Sequence, residues 1–208
     1  METIKGFAEL SPTTLADVVG AAQVMDLGIR PVYAPMMRLA GPAFTVSCPA
    51  GDNLMLHAAI HRAEPGSVVV VSSGGDLRYA LAGGNVCAVA QRRGIAGFVL
   101  DGVLRDLAEI RAMGFPVLAR GVVPVPGGKA AARPLGEPVV CGGVTVRQGD
   151  LVVGDEEGVV VTPRERAAEV LAAAKARLAE EAAQTLDAWQ AEHRARIDVL
   201  LAEAGFTG

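Results

Sequence analysis

Arg105 and Asp106 are the pair in this chain best suited to chemistry on a small anion. Arginine presents a planar, permanently charged fork that matches a carboxylate. The neighbouring aspartate is a hard oxygen donor of the kind divalent cations take. Both follow the short apolar run Ala96–Leu100 and then Asp101-Gly102. That places them just beyond the C-terminal end of a predicted buried strand, where open α/β sheets bind ligands. A predicted helix with Leu107 and Ile110 follows, and its N-terminal amides turn toward the same crevice. Upstream, Gly83-Gly84-Asn85 marks a second helix start, where small residues leave amides open to an anion. Together these features suit a carboxylate with an adjacent oxygen, such as a 2-oxo acid. Taken alone, an Arg-Asp pair also reads as a surface ion pair.

Other signatures are missing. Gly127-Gly128-Lys129-Ala130 lacks the spacing and the hydroxyl of a phosphate-binding loop. No GxGxxG follows a strand, so neither a dinucleotide nor a Rossmann-type methyl-donor site is indicated. There is no GxSxG elbow. His57 and His61 are four apart on a predicted helix and would share a face, as zinc ligands do. Glu does not follow His57 and no acidic third ligand is evident. The pair reads as partly buried or interfacial. Lys5, Lys129 and Lys175 have no apolar setting of the kind an imine-forming lysine needs.

The elements that must position these residues come from a chain of 208 residues, 51% hydrophobic and 20% charged. Ala and Val supply the apolar content, because aromatics are only 4%. A domain of this size can bury about 70% of its unfolded surface and needs no staples. The net charge is −4, with no basic run and no aromatic platform, which argues against nucleic acid. No apolar run of membrane-spanning length lacks charge, and Met1–Leu10 has no signal-peptide core. Cys48, Cys87 and Cys141 form no CxxC, and Cys48 and Cys141 read as small core residues. The expected location is the reducing cytoplasm.

Along the chain, Ser11 caps a predicted helix with Pro12 at its first position. Ala43–Cys48, Val68–Val71, Ala96–Leu100 and Phe115–Leu118 read as strands. They alternate with predicted helices from Asn53 to about Ala63, from Gly75 to Arg93 with a break at Gly83-Gly84-Asn85, and after Leu104. Beyond Gly121 the pieces shorten: Pro138–Cys141, Val144–Val146, Leu151–Val153 and Val159–Val161 read as antiparallel hairpins joined by Gly-rich turns. Residues 1–162 are expected to form one α/β domain. Residues 163–208 are expected to form one long helix, packed on that domain or on a neighbouring subunit.

The spacing Gly84-x20-Arg105-Asp106-x2-Glu109 resembles the G-x20-R-D-x2-E/D signature of the RraA-like family, which includes the class II 4-hydroxy-4-methyl-2-oxoglutarate and 4-carboxy-4-hydroxy-2-oxoadipate aldolases. The likeness extends through Gly41-Pro42-Ala43-Phe44-Thr45, Gly51-Asp52-Asn53-Leu54, Pro65-Gly66, Asp101-Gly102, Phe115-Pro116-Val117, and Gly149-Asp150 to Gly158-Val159-Val160. It spans roughly residues 10 to 175. The resemblance implies a three-layer β/β/α swivelling fold and a homotrimer, or a hexamer of two trimers, with sites between subunits. It implies Mg²⁺ or Mn²⁺ held by Asp106, partly through waters. Arg105 would bind the keto oxygen and stabilise the enolate. The backbone at Gly84, Asn85 and Val86 would hold the pyruvyl carboxylate. Asp101 and Glu109 would be supporting residues. The implied partner is a small 2-oxo acid, and decarboxylation of oxaloacetate follows from the same enolate. One departure is Gly84, where aldolases of the family often carry an acidic residue. The family's other arm implies the alternative, a non-catalytic regulator that binds a ribonuclease.

Overall fold

Val68 to Val71 are completely buried. A β-branched run becomes solvent-free on both faces when it lies at the centre of a parallel sheet. The computed structural model describes residues 2–206; Met1, Thr207 and Gly208, the ends of the two expected segments, lie outside the described residues. The order is α1 (Glu2–Ala8), α2 (Pro12–Val19), β1 (Arg30–Pro31), β2 (Leu39–Ser47), α3 (Leu54–Ala59), β3 (Val68–Ser72), α4 (Gly84–Arg92), β4 (Gly97–Leu104) and α5 (Leu107–Met113). Then come β5 (Val117–Val122), β6 (Val139–Cys141), β7 (Val144–Val146), β8 (Leu151–Asp155), β9 (Gly158–Thr162), α6 (Ala167–Ala183) and α7 (Leu186–Glu203).

Seven strands form one mixed sheet in the order β1-β5-β4-β3-β2-β8-β9. Strands β2 to β5 run parallel, while β1, β8 and β9 add antiparallel edges. The β6–β7 hairpin is a separate layer that packs on β3 and β2. One core joins hairpin residues Val139 and Val146 to the strands and to Leu56, Cys87 and Ile110 of α3–α5. Phe98 and Phe115 meet edge-to-face within it, with centroids 4.9 Å apart. This is the three-layer β/β/α arrangement. A second core, with Phe7, Leu15, Val153, Val160 and Val170, joins α1, α2 and α6 to the back of β8–β9. Among the described residues no helix is long and apolar enough to cross a membrane.

Ser11 caps α2 as expected, its Oγ accepting from the Thr14 amide at 3.1 Å. Three expectations are corrected. Residues 75–83 are not helical. Gly74 and Gly75 turn the chain with positive φ, and Ala80 then bridges to Val103 and Pro126, so tertiary bonds replace helical ones. Asp101-Gly102 does not end its strand, because β4 continues to Leu104 through a register shift between Leu100 and Val103. The long terminal helix is two helices. Thr185 is extended, with φ −76° and ψ 155°, and its side chain accepts from the Ala188 amide, so it starts α7 as an N-cap. Helix α6 buries Ala167, Val170 and Ala174 against the body, whereas α7 buries no residue.

Candidate functional site

The continuation of β4 past its irregularity carries Arg105 and Asp106 to the mouth of the parallel sheet. The Arg105 amide donates to the Ala82 carbonyl at 3.0 Å, which ties the strand end to the chain entering α4. Asp106 then turns into the left-handed region with φ 61° and ψ 41°. Among the described residues it is the only non-glycine residue there, and such conformations concentrate at functional sites. The turn brings its carboxylate back onto α4, where Oδ2 accepts the Gly84 amide at 3.0 Å. Arg105 Nε lies 3.4 Å from the same oxygen. Among the described residues the Arg105 Nη groups have no partner, and the side chain is 41% exposed.

These groups open onto a crevice of about 210 Å³. Gly83, Asn85, Val86, Arg105 and Asp106 form one part of its wall. Asn85 and Val86 lie in the first turn of α4, so their amides have no intrahelical acceptor. A Cβ at Gly83 would strike Asp106, and one at Gly84 would strike the Glu109 carboxylate. The absence of a side chain at Gly84 thus has a local reason. The acidic group of Glu109, one turn into α5, occupies the space that a side chain at position 84 would take.

The rest of the wall comes from residues that the sequence reading did not assign to the site: Asn53, His57 and Lys129. Asn53 Nδ2 donates to the Ala80 carbonyl at 3.1 Å, but its Oδ1 is buried without a partner. An unpaired buried acceptor calls for a donor. Burial, and then the nearby charge of Lys129, push the His57 pKa below its ordinary value, so the imidazole is neutral at pH 7. His61 is not part of the wall. The sequence signals here were the Gly51-Asp52-Asn53 and Gly127-Gly128-Lys129 segments and the His57/His61 pair, and none of these spacings announces this site.

Asp101 is not brought to the crevice. Its carboxylate pairs with Arg120 Nε, and Arg120 Nη1 and Nη2 reach Asp26 at 3.1 and 2.8 Å. The Asp101 carbonyl accepts from the Ser73 hydroxyl at 2.6 Å. The side chain that looked like a supporting site residue is part of a structural clamp. Burial pushes the thiols of Cys48 and Cys87 up to about 11 and about 12, and that of Cys141 also up, so none is poised as a nucleophile. A larger cleft lies in the elbow of α6 and α7, but its Arg177, Glu181, Trp189 and Glu192 are all exposed and no strand end or orphaned group points into it.

Among the described residues no three His, Cys, Asp or Glu side chains gather as a metal cage. The carboxylate at the crevice is Asp106, and that of Glu109 lies behind it against Gly84. One or two carboxylates with retained waters is how Mg²⁺ is commonly held, so the donor set fits a hard divalent ion.

The RraA-like family profile, described as Aldolase/RraA, matches residues 12–161. A protein of Halalkalibacterium halodurans, provisionally named 4-hydroxy-4-methyl-2-oxoglutarate aldolase, is 36% identical over 88% of this chain and 87% of its own length. The crystal structure of an RraA-family protein of Streptomyces coelicolor superposes with a TM-score of 0.77 at 28% identity, covering 86% of this chain and 93% of that one. The RNA-processing inhibitor RraA from Thermus thermophilis gives a TM-score of 0.68 at 29% identity, over 74% of this chain and 93% of its own. With the profile spanning most of the chain and a relative 36% identical over 88% of it, the chain belongs to the RraA-like (Aldolase/RraA) family.

Proposed function

We propose that this protein is a divalent-metal-dependent pyruvate aldolase. It cleaves substrates of the 4-hydroxy-4-methyl-2-oxoglutarate or 4-carboxy-4-hydroxy-2-oxoadipate type, and it also decarboxylates oxaloacetate. The observation that carries this reading is the unspent Arg105 fork beside Asp106 and the free amides of α4, all on one crevice. The amides of Asn85 and Val86 take the pyruvyl carboxylate. Arg105 donates to the C2 keto oxygen, where negative charge develops. Lys129 takes the carboxylate of the other half, and the C4 hydroxyl lies against His57 on the same wall. As the C3–C4 bond breaks, its electron pair passes to C3 and onto the C2 oxygen as an enolate. The C4 hydroxyl proton leaves to neutral His57, and a carbonyl forms at C4. The enolate then takes a proton at C3 to give pyruvate. In oxaloacetate the same bond breaks, with carbon dioxide as the leaving group. Asp106, with Glu109 behind it, would hold Mg²⁺ or Mn²⁺, whose chemistry is Lewis-acid stabilisation of the same enolate.

The experiment is to supply Mg²⁺ or Mn²⁺ with oxaloacetate and the two 4-hydroxy-2-oxo diacids and to follow pyruvate by a coupled dehydrogenase. Folded protein that releases no pyruvate from any of them overturns the reading. Free, buried thiols at all three cysteines suit a reducing cytoplasm. The proposed assembly is a homotrimer or a dimer of trimers; the exposed Leu186, Trp189, Val199 and Leu200 of α7 offer apolar surface for a subunit contact, and a monomer mass in sedimentation would refute it. A second reading, a non-catalytic regulator of a ribonuclease, rests on the fold likeness to the Thermus inhibitor. It predicts co-purification with a ribonuclease and no pyruvate.

A further inference from the structure

The connection from β5 to β6 runs from 123 to 138 without regular structure, and most of it is exposed. A connection of that length carries a large ordering cost unless something pins it. Backbone bonds hold both its ends, Val123 to Leu104 and Gly136 to Thr45, and its middle is held at the stretch around Gly127 and Gly128. The Gly127 amide donates to the Ala80 carbonyl at 3.1 Å, the Gly128 amide to Gly51 at 2.7 Å, and the Gly128 carbonyl accepts from the Asn53 amide at 2.8 Å. Next to that stretch the anchor is a side chain. Asp52 Oδ2 accepts the Ala130 and Ala131 amides at 2.6 and 3.1 Å, while Oδ1 accepts the Leu54 amide at 2.9 Å and so starts α3. Asp52 is buried yet occupies no part of the crevice wall. The residue immediately before its two loop donors is Lys129, whose amine has no ion-pair partner among the described residues.

We infer that Asp52 is a positioning residue: its carboxylate clamps the Lys129–Ala131 backbone to the start of α3 and thereby holds the Lys129 ammonium at the crevice. The same carboxylate accepts the Leu54 amide, so Lys129 is placed against the start of α3. One buried aspartate thus registers the two segments that complete the wall away from Arg105. A lysine side chain is long and mobile, and its charge helps a bound carboxylate only when its backbone is fixed. Burial opposes ionisation of Asp52, but the backbone donors and Lys129 outweigh it, and the group stays charged below the usual carboxylate range.

The function of the clamp rests on the aldolase reading; the clamp itself does not, and the test separates them. The first arm uses no substrate. Asp52→Asn keeps the size but replaces one acceptor oxygen by a donor facing backbone donors. Its native state is expected to be cut by trypsin after Lys129 at least about tenfold faster than wild type, with a far-ultraviolet spectrum unchanged. Equal cleavage rates overturn the inference. Should Asp52→Asn not fold, Ala131→Pro removes one donor while leaving Asp52 and α3 intact, and it is held to the same criterion. The second arm uses the Mg²⁺-loaded enzyme. Asp52→Asn is expected to raise KM for the 4-hydroxy-2-oxo diacids by about tenfold while exchange of the pyruvate methyl protons in D₂O stays within about twofold. Asp52→Asn/Lys129→Ala is expected to be no worse than Lys129→Ala alone, because the clamp acts through that lysine. Additive losses, or a matching loss of proton exchange, overturn the positioning role. A wild type inert in both reactions overturns the aldolase reading and leaves the clamp to the tryptic arm.

Discussion

Arg105 and Arg120 stand at the C-terminal ends of neighbouring parallel strands, β4 and β5, and each lies beside aspartates. Their settings are opposite. Arg120 is 22% exposed, and its Nε, Nη1 and Nη2 are all committed to Asp101 and Asp26. It closes the Asp26 loop onto the sheet, and a Cβ at Gly28 would strike its guanidinium. Arg105 touches Asp106 only at Nε, leaving the flat end of its fork free toward a crevice. A guanidinium whose hydrogen bonds are spent inside the protein holds the fold. One held at its base and open at its tip supplies charge to something else. The two positions turn this contrast into measurements of activity on one side and stability on the other.

The largest separation is expected at Asp106. Asn tolerates the left-handed backbone and keeps an oxygen for the Gly84 amide, so Asp106→Asn removes charge and little else. On the proposed aldolase reading, in which this carboxylate would hold the divalent ion, its loss is expected to cut kcat/KM for pyruvate release by roughly 1,000-fold or more. The unfolding temperature should move by no more than about 2 °C, since the group is exposed and makes no buried ion pair. Calorimetry beside the coupled assay reads both. A comparable fall in stability would place Asp106 with the clamp.

Arg105 comes next. Arg105→Ala is expected to lower kcat about 100- to 1,000-fold, by analogy with loss of one oxyanion donor, with stability unchanged. Arg105→Lys should recover little of that, because a point charge does not reproduce a fork. Full activity in the lysine variant would mean that only net positive charge is needed there.

Why the sequence disclosed one half of this contrast follows from distance along the chain. Gly84, Arg105, Asp106 and Glu109 belong to consecutive segments, α4, β4 and α5, so the helix start and strand end they sit on carry local signals. Asn53, His57 and Lys129 reach the same crevice from two other connections, joined by bonds such as Gly128 to Gly51 that no periodicity encodes. Asp101 misled for a physical reason. Proximity to Arg105 in sequence suggested a shared site, but the pleat and the register shift beyond Leu100 turn its carboxylate toward Arg120. The parallel strands and both hairpins were legible from β-branched runs and Gly turns. The break before α7 was not, because an Ala- and Glu-rich tract hides it and only the Thr185 cap marks it.

On the stability side, Arg120→Met should leave the Asp101 carboxylate, 10% exposed, without its counter-charge. Removing one member of a buried pair typically costs 3–5 kcal/mol; with Asp26 half in water, about 2–3 kcal/mol is expected here, read as a shift in urea midpoint. Activity per folded molecule should stay within about twofold. A variant that unfolds no sooner, or that loses pyruvate release while folded, would erase the distinction between the two arginines.

The smallest effect concerns Asp26, the exposed end of the clamp, where 47% of the side chain meets solvent. Its hydrogen bonds to Arg120 hold the carboxyl below its usual pKa, against a smaller opposing effect of burial, with help from the Gly28 amide. A carboxyl depressed in the folded state binds fewer protons there than in the unfolded chain. Its contribution to stability is therefore complete above the unfolded pKa, about 4, and is lost as pH falls through the lower folded value. Arg120 stays charged throughout this range, so the titration belongs to the carboxyl. Asp26→Asn should be less stable than wild type by at most about 1 kcal/mol at pH 7, the scale of a solvent-screened pair. That gap should hold down to about pH 4 and shrink as the pH falls further. It should also narrow in about 1 M salt, which screens a half-exposed pair. Urea midpoints of both proteins at pH 7, 4 and 2.5 measure the trend. A gap independent of pH and salt would show that Asp26 holds the loop by shape, and that Arg120 is anchored by Asp101 alone.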